Sequence, residues 1–433
     1  MISIDPDLGL DVATDAVARA MKAGADEASV VHSYSEVFEV NFDTNDVTLV
    51  RSTVGDALSL TLLCDRRKGT AQLTGRSHDL IEQAVAQALE AAQAGEADDA
   101  NVLPQSPVER AADRGHEQPD REAMVDAVLR LIAEAKERYP ALRSDSSTYS
   151  FRSSWASYAN SHDRLQHARL GLYVAVLMVT GKDDTQATSF NYVHQVGAEP
   201  FDSLLAVPVV ERMIESTMAS FDAQPISSTF VGDVIFTPES LDTLVGSIAG
   251  ALSGPALMRK TTPYLDRLGE AIAAPMFTLR HAPSALAAAS AFDSDGFVNA
   301  DLPVITEGAL ENYLVDWYFS NKLGVPRTTG LTDWVIDPGD VALDDLIAST
   351  ERGIVLGRYS GGMPNQKLDF SGVAKNSFYV EDGKIVHPLA ETMITGNFVT
   401  ALESIRGISR ETLDFGSAAY PWVSVGDVTI STN

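Results

Sequence analysis

A glycine-punctuated stretch near the C-terminus constrains this chain more than any other part of it. Residues 360–397 read SGGMPNQKLDFSGVAKNSFYVEDGKIVHPLAETMITGN. The paired glycines Gly361 and Gly362 open it, and glycine permits φ > 0 or a close approach of a neighbouring backbone. Residues 377–381 are rich in strand formers, Asp382-Gly383 is a hairpin-turn pair, and 384–387 read as the return strand. Gly396-Asn397 closes the stretch. Such a segment favours short antiparallel strands joined by turns.

From the N-terminus, residues 7–23 read as an amphipathic helix, with Leu10, Val12, Ala16, Val17 and Ala20 on one face and Gly24 as its stop. Strand-like runs follow at 28–34, 37–42, 47–53 and 57–63, with Asn45-Asp46 and Gly55-Asp56 in the gaps. A short run at 70–73 precedes a helix over 79–94, whose face carries Leu80, Ile81, Ala84, Val85, Ala88 and Leu89. Residues 95–120 lack periodicity and read as an exposed connection. The order then repeats: a helix over 121–138 ended by Pro140, strands at 146–153, 155–161, 167–180 and 185–193, and a helix over 207–221. The repetition predicts an internal duplication, with α+β units at 1–110 and 111–226. Whether their sheets stack or join is open at this level.

Residues 227–433 form the third segment. Strands are expected at 233–236, 276–280, 297–300, 304–306, 354–358, 377–381, 384–387 and 423–430, and residues 310–323 fit either an extended strand followed by a helix or another arrangement. Strands separated by turns argue for an antiparallel body. The fold class is α+β: a duplicated helix/antiparallel-sheet N-terminal unit followed by a mainly antiparallel β C-terminal domain. One helix stands out. Thr237 suits an N-cap, Pro238 the first position and Glu239 the helix dipole. Its apolar stripe is Leu241, Leu244, Val245, Ile248, Ala249 and Leu252. Gly246, Ser247 and Gly250 on its flank are small enough to admit a close neighbour.

Composition excludes some classes. The chain has 60 acidic against 32 basic residues, a formal charge of −28. That surface repels phosphate backbones and argues against nucleic acid as a partner. One cysteine, Cys64, permits no internal disulfide and no thiolate zinc cluster; its apolar run, 58–64, predicts a buried, inert thiol. The first residues lack a basic, apolar leader, and no segment reaches the roughly 18 apolar residues that span a bilayer. A cytoplasmic protein with no membrane contact is expected.

The glycine-rich stretch also resembles the C-terminal part of the TldD/PmbA family of peptide-processing proteins. The residues that carry the resemblance are Ser360-Gly361-Gly362, then Asp369-Phe370-Ser371-Gly372-Val373-Ala374-Lys375-Asn376, then Glu381-Asp382-Gly383-Lys384. Upstream, Asp295-Gly296, Glu307-Gly308-Ala309-Leu310, Asn321-Lys322-Leu323-Gly324 and Thr329-Gly330 follow in the family's order. The resemblance is good over roughly residues 232–431 and looser before them. In the metal-bearing branch, the helix at 238–252 holds a His-Glu-x-x-x-His motif, and a C-terminal cysteine completes the site. The two histidine positions fall near Val245 and Ala249. No histidine lies between His194 and His281, and residues 414–427 contain no cysteine. The resemblance therefore implies the PmbA (TldE)-like branch: no zinc site, no catalytic residue and no cofactor of its own. It implies a TldD-type metallopeptidase subunit as partner and unfolded or flexible peptides as substrate. The alternative is a stand-alone peptide-binding homodimer without protease activity. An autonomous hydrolase has no visible site.

Other constellations favour ordinary structural roles. His162 and His167 are five apart, which suits neither a helix face nor one strand face. Asp293, Asp295 and Asp301 lack the spacing and closing Glu of an EF-hand. Residues 357–362 suggest a phosphate loop but lack its Gly-Lys-Ser/Thr ending. Trp317-Tyr318-Phe319 reads as core or interface. Gly361, Gly362 and Asn376 are the candidate peptide-groove residues: the glycines through the backbone path they permit, Asn376 through side-chain bonds to backbone or substrate amides.

Overall fold

The computed structural model describes residues 6–43, 45–105, 111–328 and 332–432. It is an α+β protein built on two large sheets. Thr329-Gly330, quoted above, lies outside the described residues.

The first sheet begins with α1 (Pro6–Lys22), β1 (Glu27–Asp43), β2 (Asp46–Cys64), β3 (Arg67–Thr74) and α2 (His78–Ala94). The four short strands expected over 28–63 are two long ones. Gly55-Asp56 is not a turn, because pairing runs straight through it, Ser35 to Gly55 and Tyr34 to Asp56. The real turn is at Asn45, where φ is +64°. What changes near Gly55 is burial: residues 46–55 of β2 are largely exposed, while Leu58, Leu60 and Leu62 are buried under α1 and α2.

The second run comprises α3 (Arg121–Arg138), β4 (Leu142–Ser144), β5 (Ser147–Asn160), β6 (Leu165–Gly181), β7 (Asn191–Gly197) and α4 (Pro208–Met218). Here too the expected strands at 146–153 and 155–161 merge into one, and the strand expected at 185–193 starts only at Asn191. β5 pairs with β1 along almost its whole length, so the two runs join into one seven-stranded sheet. The segment after α2 is less exposed than expected. Ala100, Asn101, Leu103 and Ala111 are buried, and Arg114 bridges to Leu170.

The C-terminal body opens with β8 (Phe230–Phe236), a 3₁₀ turn (Pro238–Ser240), α5 (Leu241–Ala251) and α6 (Gly254–Arg259). Then come β9 (Leu279–His281), β10 (Leu302–Thr306), β11 (Ala309–Leu310), α7 (Trp317–Leu323), β12 (Trp334–Ile336) and α8 (Leu343–Ala348). The strand expected at 297–300 is only a bridge, Phe292 to Val298. The last part is β13 (Arg352–Leu356), β14 (Arg358–Gly361), β15 (Asp369–Lys375), β16 (Phe378–Glu381), β17 (Lys384–Pro388), β18 (Thr392–Asn397), α9 (Phe398–Glu403), β19 (Ile405–Asp414) and β20 (Ala418–Thr432). β20 is the organising strand: β8, β12, β18 and β19 all pair with it. The sheet is mainly antiparallel, but β13 runs parallel to β8 and β12 parallel to β20.

One apolar cluster crosses from sheet to sheet. It joins Phe38, Tyr149 and Tyr173 of the first to Ile235, Val355, Val380 and Trp422 of the second, with α3 and α4 between. Among the described residues no helix is long and apolar enough to cross a membrane.

Candidate functional site

Where the two sheets meet, four elements aim side chains into one cleft. β7 contributes Tyr192 and His194, which share a strand face by their spacing of two. The 3₁₀ turn and the start of α5 contribute Glu239 and Asp242. β14 contributes Arg358 and Tyr359. With Phe415 and Ser417 they line a cavity of about 140 Å³.

Thr237 does not cap the helix as expected; its hydroxyl donates to the Gly357 carbonyl at 3.3 Å. The cap fails because a 3₁₀ turn, not α-helix, follows it. Asp242 lies in the first turn of α5, where the helix dipole favours a carboxylate. Its carboxyl is pushed up by burial, while the Tyr420 hydroxyl bond and nearby His194 pull it back down. The same burial lowers His194 and biases it towards neutral imidazole. Both side chains still touch solvent, so the cleft walls crowd them without sealing them.

Arg358 is the one arginine among the described residues that line the cleft. Arg212, outside that lining, has Glu239 at 3.2 Å, although its own Nε makes no hydrogen bond. Arg358 has no carboxylate partner among the described residues. Its guanidinium lies 4.4 Å from the centre of the Phe190 ring. Nη2 donates to Ser189 Oγ and the Phe190 carbonyl, both at a long 3.4 Å. Nε is buried with no hydrogen-bond partner. Burial lowers its affinity for its proton.

Among the described residues β14 pairs with β15 on one side only. Its other edge therefore leaves backbone N–H and C=O groups without a strand partner. The cleft offers a free strand edge, one cation without an ion pair, two carboxylates and several hydroxyls. That set suits holding an extended chain by its backbone.

Gly361 sits at the end of β14, opposite Gly372. A Cβ there would meet Gly372 Cα at 2.7 Å and the Tyr359 hydroxyl at 2.7 Å. Gly362 is different: a Cβ would meet nothing within 4 Å. Neither adopts positive φ, so of the two expected reasons only close approach applies, and only at Gly361. Asn376 lies at the opposite end of the β14–β15 ladder, beyond Lys375, and does not meet the glycines. It has φ of +51°, is 4% exposed, and donates from Nδ2 to the Ser189 carbonyl at 3.3 Å. Its Oδ1 is buried without a partner.

Val245 and Ala249 are 0% and 3% exposed, packed in the C-terminal core, and neither has a lone pair to offer. The positions of α5 that reach the cleft are Asp242 and Thr243. Gly246 and Gly250 face open space and not the close neighbour expected of them. Among the described residues no three His, Cys, Asp or Glu side chains converge as ligands. The side chains that α5 presents do not make a metal site.

The other sequence candidates are engaged elsewhere. His162 meets Glu27 at 3.1 Å, and His167 meets Ser157 at 2.8 Å. Asp293 pairs with Arg327 at 3.0 Å, and Asp301 accepts from Ser284. Trp317 and Tyr318 tie α7 to the segment after α2, through the Val102 carbonyl and Asp98. Cys64 is only partly buried, because it is the last residue of β2, at the turn into β3; burial still pushes its thiol up, away from thiolate. Sequence reasoning missed His194 with Asp242, and met Arg358 only as part of the phosphate-loop pattern. Their shared cleft has no local signature.

These features define a class first: an α+β protein whose two sheets flank a cleft with an unpaired strand edge. Residues 229–432 match the PmbA/TldA metallopeptidase C-terminal domain. The C-terminal half of the chain thus belongs to the PmbA/TldD family. A metalloprotease PmbA homologue of Haemophilus influenzae is 27% identical over 414 residues, covering 91% of this chain and 89% of its own. A zinc metalloprotease TldD homologue of Saccharolobus solfataricus is 26% identical over 141 residues, 30% of this chain and 31% of its own. The crystal structure of TldE from Thermococcus kodakarensis has the same fold, with a TM-score of 0.82 at 20% identity over 97% of this chain and 100% of that one.

Proposed function

We propose that this chain is the non-metal subunit of a TldD/TldE-type heteromeric metallopeptidase. It binds unfolded or flexible peptides and presents them to a TldD-type subunit that supplies the chemistry. The observation that carries the reading is the free edge of β14 beside a helix, α5, whose buried positions are apolar except for Ser247. Extended peptide adds to such an edge through main-chain bonds, whatever its sequence. The likeness to a PmbA homologue over most of the chain, against under a third for the TldD homologue, supports the same branch.

The test is peptide cleavage by a TldD-type partner, alone and mixed with this chain. The mixture is expected to cleave several-fold faster than the partner. Gly362→Val sharpens it. Its methyls would enter open space, so the melting temperature should stay within about 1 °C of the parent. Cleavage by the mixture should nonetheless fall, because those methyls stand beside the β14 edge. Full-rate cleavage by the partner alone would overturn the required-subunit reading. Peptide binding by a symmetric dimer of this chain, with no effect on the partner, would favour the stand-alone homodimer.

A further inference from the structure

We propose that Arg358 is the anchor for a carboxylate of the bound peptide, either its C-terminus or an acidic side chain. This rests on the peptide-binding reading above.

Many basic side chains of this acidic chain have no carboxylate within 4.0 Å, but among the described residues Arg358 alone combines that with a buried nitrogen lacking a hydrogen-bond partner. It is also not at the open surface, where water would serve it. It lines the cavity between the sheets, with its Nε buried and unpartnered. Its two bonds through Nη2, both at 3.4 Å, are at the long limit. A guanidinium taken partly out of water and left unpaired costs the free chain stability. A carboxylate entering the cleft recovers that cost, and guanidinium–carboxylate bonds are among the stronger ones available.

The surroundings fit that role. Phe190 backs the guanidinium plane at 4.4 Å and holds it flat. Tyr192, 52% exposed, stands on the same β7 side of the cleft. Of the acidic groups that line the cleft, Glu239 is ion-paired with Arg212 at 3.2 Å through Oε1, with its Oε2 buried and unbonded, and Asp242 bonds the Tyr420 hydroxyl. Arg358 is also the first residue of β14, paired with Lys375. A peptide laid along the free edge of β14 thus has a cation fixed at one end of its track. Backbone pairing is sequence-tolerant, so this cation would set the register.

The experiment uses the full chain and three flexible peptides of one sequence. One has a free C-terminal carboxylate, one a C-terminal amide, and one the amide with a single internal Glu. Affinity is read by calorimetry or anisotropy. In parallel, the Arg Nε–H resonances are followed by NMR during titration with N-acetylglycine. The expected result is a loss of roughly tenfold or more on amidation. The loss should vanish in Arg358→Gln, and Arg358→Lys should restore part of it. Recovery of affinity by the internal Glu would identify an acidic side chain as an accepted source; no recovery would restrict the site to the chain end. Equal binding of all three peptides, by parent and variants alike, would overturn the anchor and leave peptide binding standing. Failure of every peptide to bind would overturn the peptide reading. A shift of the Arg358 Nε–H signal with N-acetylglycine would then still support a carboxylate site, and no shift would remove it too. Should Arg358→Gln fail to fold, the amidation comparison and the resonance shift in the parent chain decide the matter.

Discussion

The two sheets of this protein are assembled by opposite routes. In the first, most neighbours in sequence are neighbours in space, and the β1–β5 seam that joins its two halves is the main long-range pairing. β1 and β2 form one long hairpin from Glu27–Leu63 down to Asp43–Asp46, and β5 and β6 form another. In the second, β8 lies between β13 and β20, strands from the middle and the end of the segment. The C-terminal sheet cannot close until its last strand has arrived. Long-range pairing of this kind requires loop closure before any contact rewards it. The comparison teaches where function resides. The cleft lies where the non-local sheet meets the local one, and its parts come from β7, α5 and β14.

The largest expected effect tests how firmly the C-terminal core has committed α5 to packing. Val245→His with Ala249→His places two imidazoles where the chain has near-zero exposure. Burying them without partners, and overfilling the site at Ala249, should cost more than about 4 kcal/mol. Urea unfolding of the double variant, with and without zinc, is the measurement. Parental stability and bound zinc would mean that these positions can face a ligand after all.

The same contrast explains what was legible in the sequence. Helices α1, α2, α3 and α4 could be read because amphipathic periodicity is local. The existence of strands in the first sheet could be read too, although Gly55-Asp56 imitated a turn. A glycine and an acid mark a turn only when the ladder stops there, and the partners Ser35 and Tyr34 keep it going. In the C-terminal body β15, β18 and β19 were not foreseen. Asp369–Lys375 carries Ser, Gly and charges, and becomes a strand only because β14 and β18 flank it. The hairpin at Asp382-Gly383 was legible, since its turn chemistry is complete within a few residues. Of the candidate site, the glycine pair could be found from sequence, but not which of the two is sterically held. The burial of Asn376 depends on Ser189, 187 positions away, and no local pattern announces it.

A middle-sized effect probes the joint between the sheets. The loop at Asp293–Gly296 packs on the first sheet: a Cβ on Gly296 would meet the Tyr158 ring at 2.6 Å, and Arg164 donates to the Gly296 carbonyl. Asp295 is trapped there. Burial first, then the charge of Asp293, pushes its carboxyl up to about 6. The native state therefore holds this proton more tightly than the unfolded chain does. Stability contributed by the group is full below about pH 4 and is lost as pH rises through 6. Asp295→Asn should stabilise the protein by on the order of 1–2 kcal/mol at pH 8, and by much less at pH 4. Melting curves across pH 4–8 would expose the opposite trend if the charged form were in fact favoured at the joint.

The smallest expected effect lies at the far end of the local sheet. β2 changes character along its length. From Ala57 onward β3 covers its outer edge, and Leu60, 1% exposed, is packed with Ile81 and Ala84 of α2. Before Ala57, β2 pairs with β1 alone, and Val54 is 65% exposed. Leu60→Ala opens a cavity under a helix and should be clearly destabilising. Val54→Thr exchanges one β-branched side chain for another in solvent, so its effect should stay within about 0.5 kcal/mol. Chemical denaturation of both variants, at protein concentrations a hundredfold apart, is the measurement. A Val54 effect that is large and grows with concentration would mean that another chain covers this edge in solution. The exposed edge would then be an interface, and the local sheet would depend on long-range partners as much as the C-terminal one does.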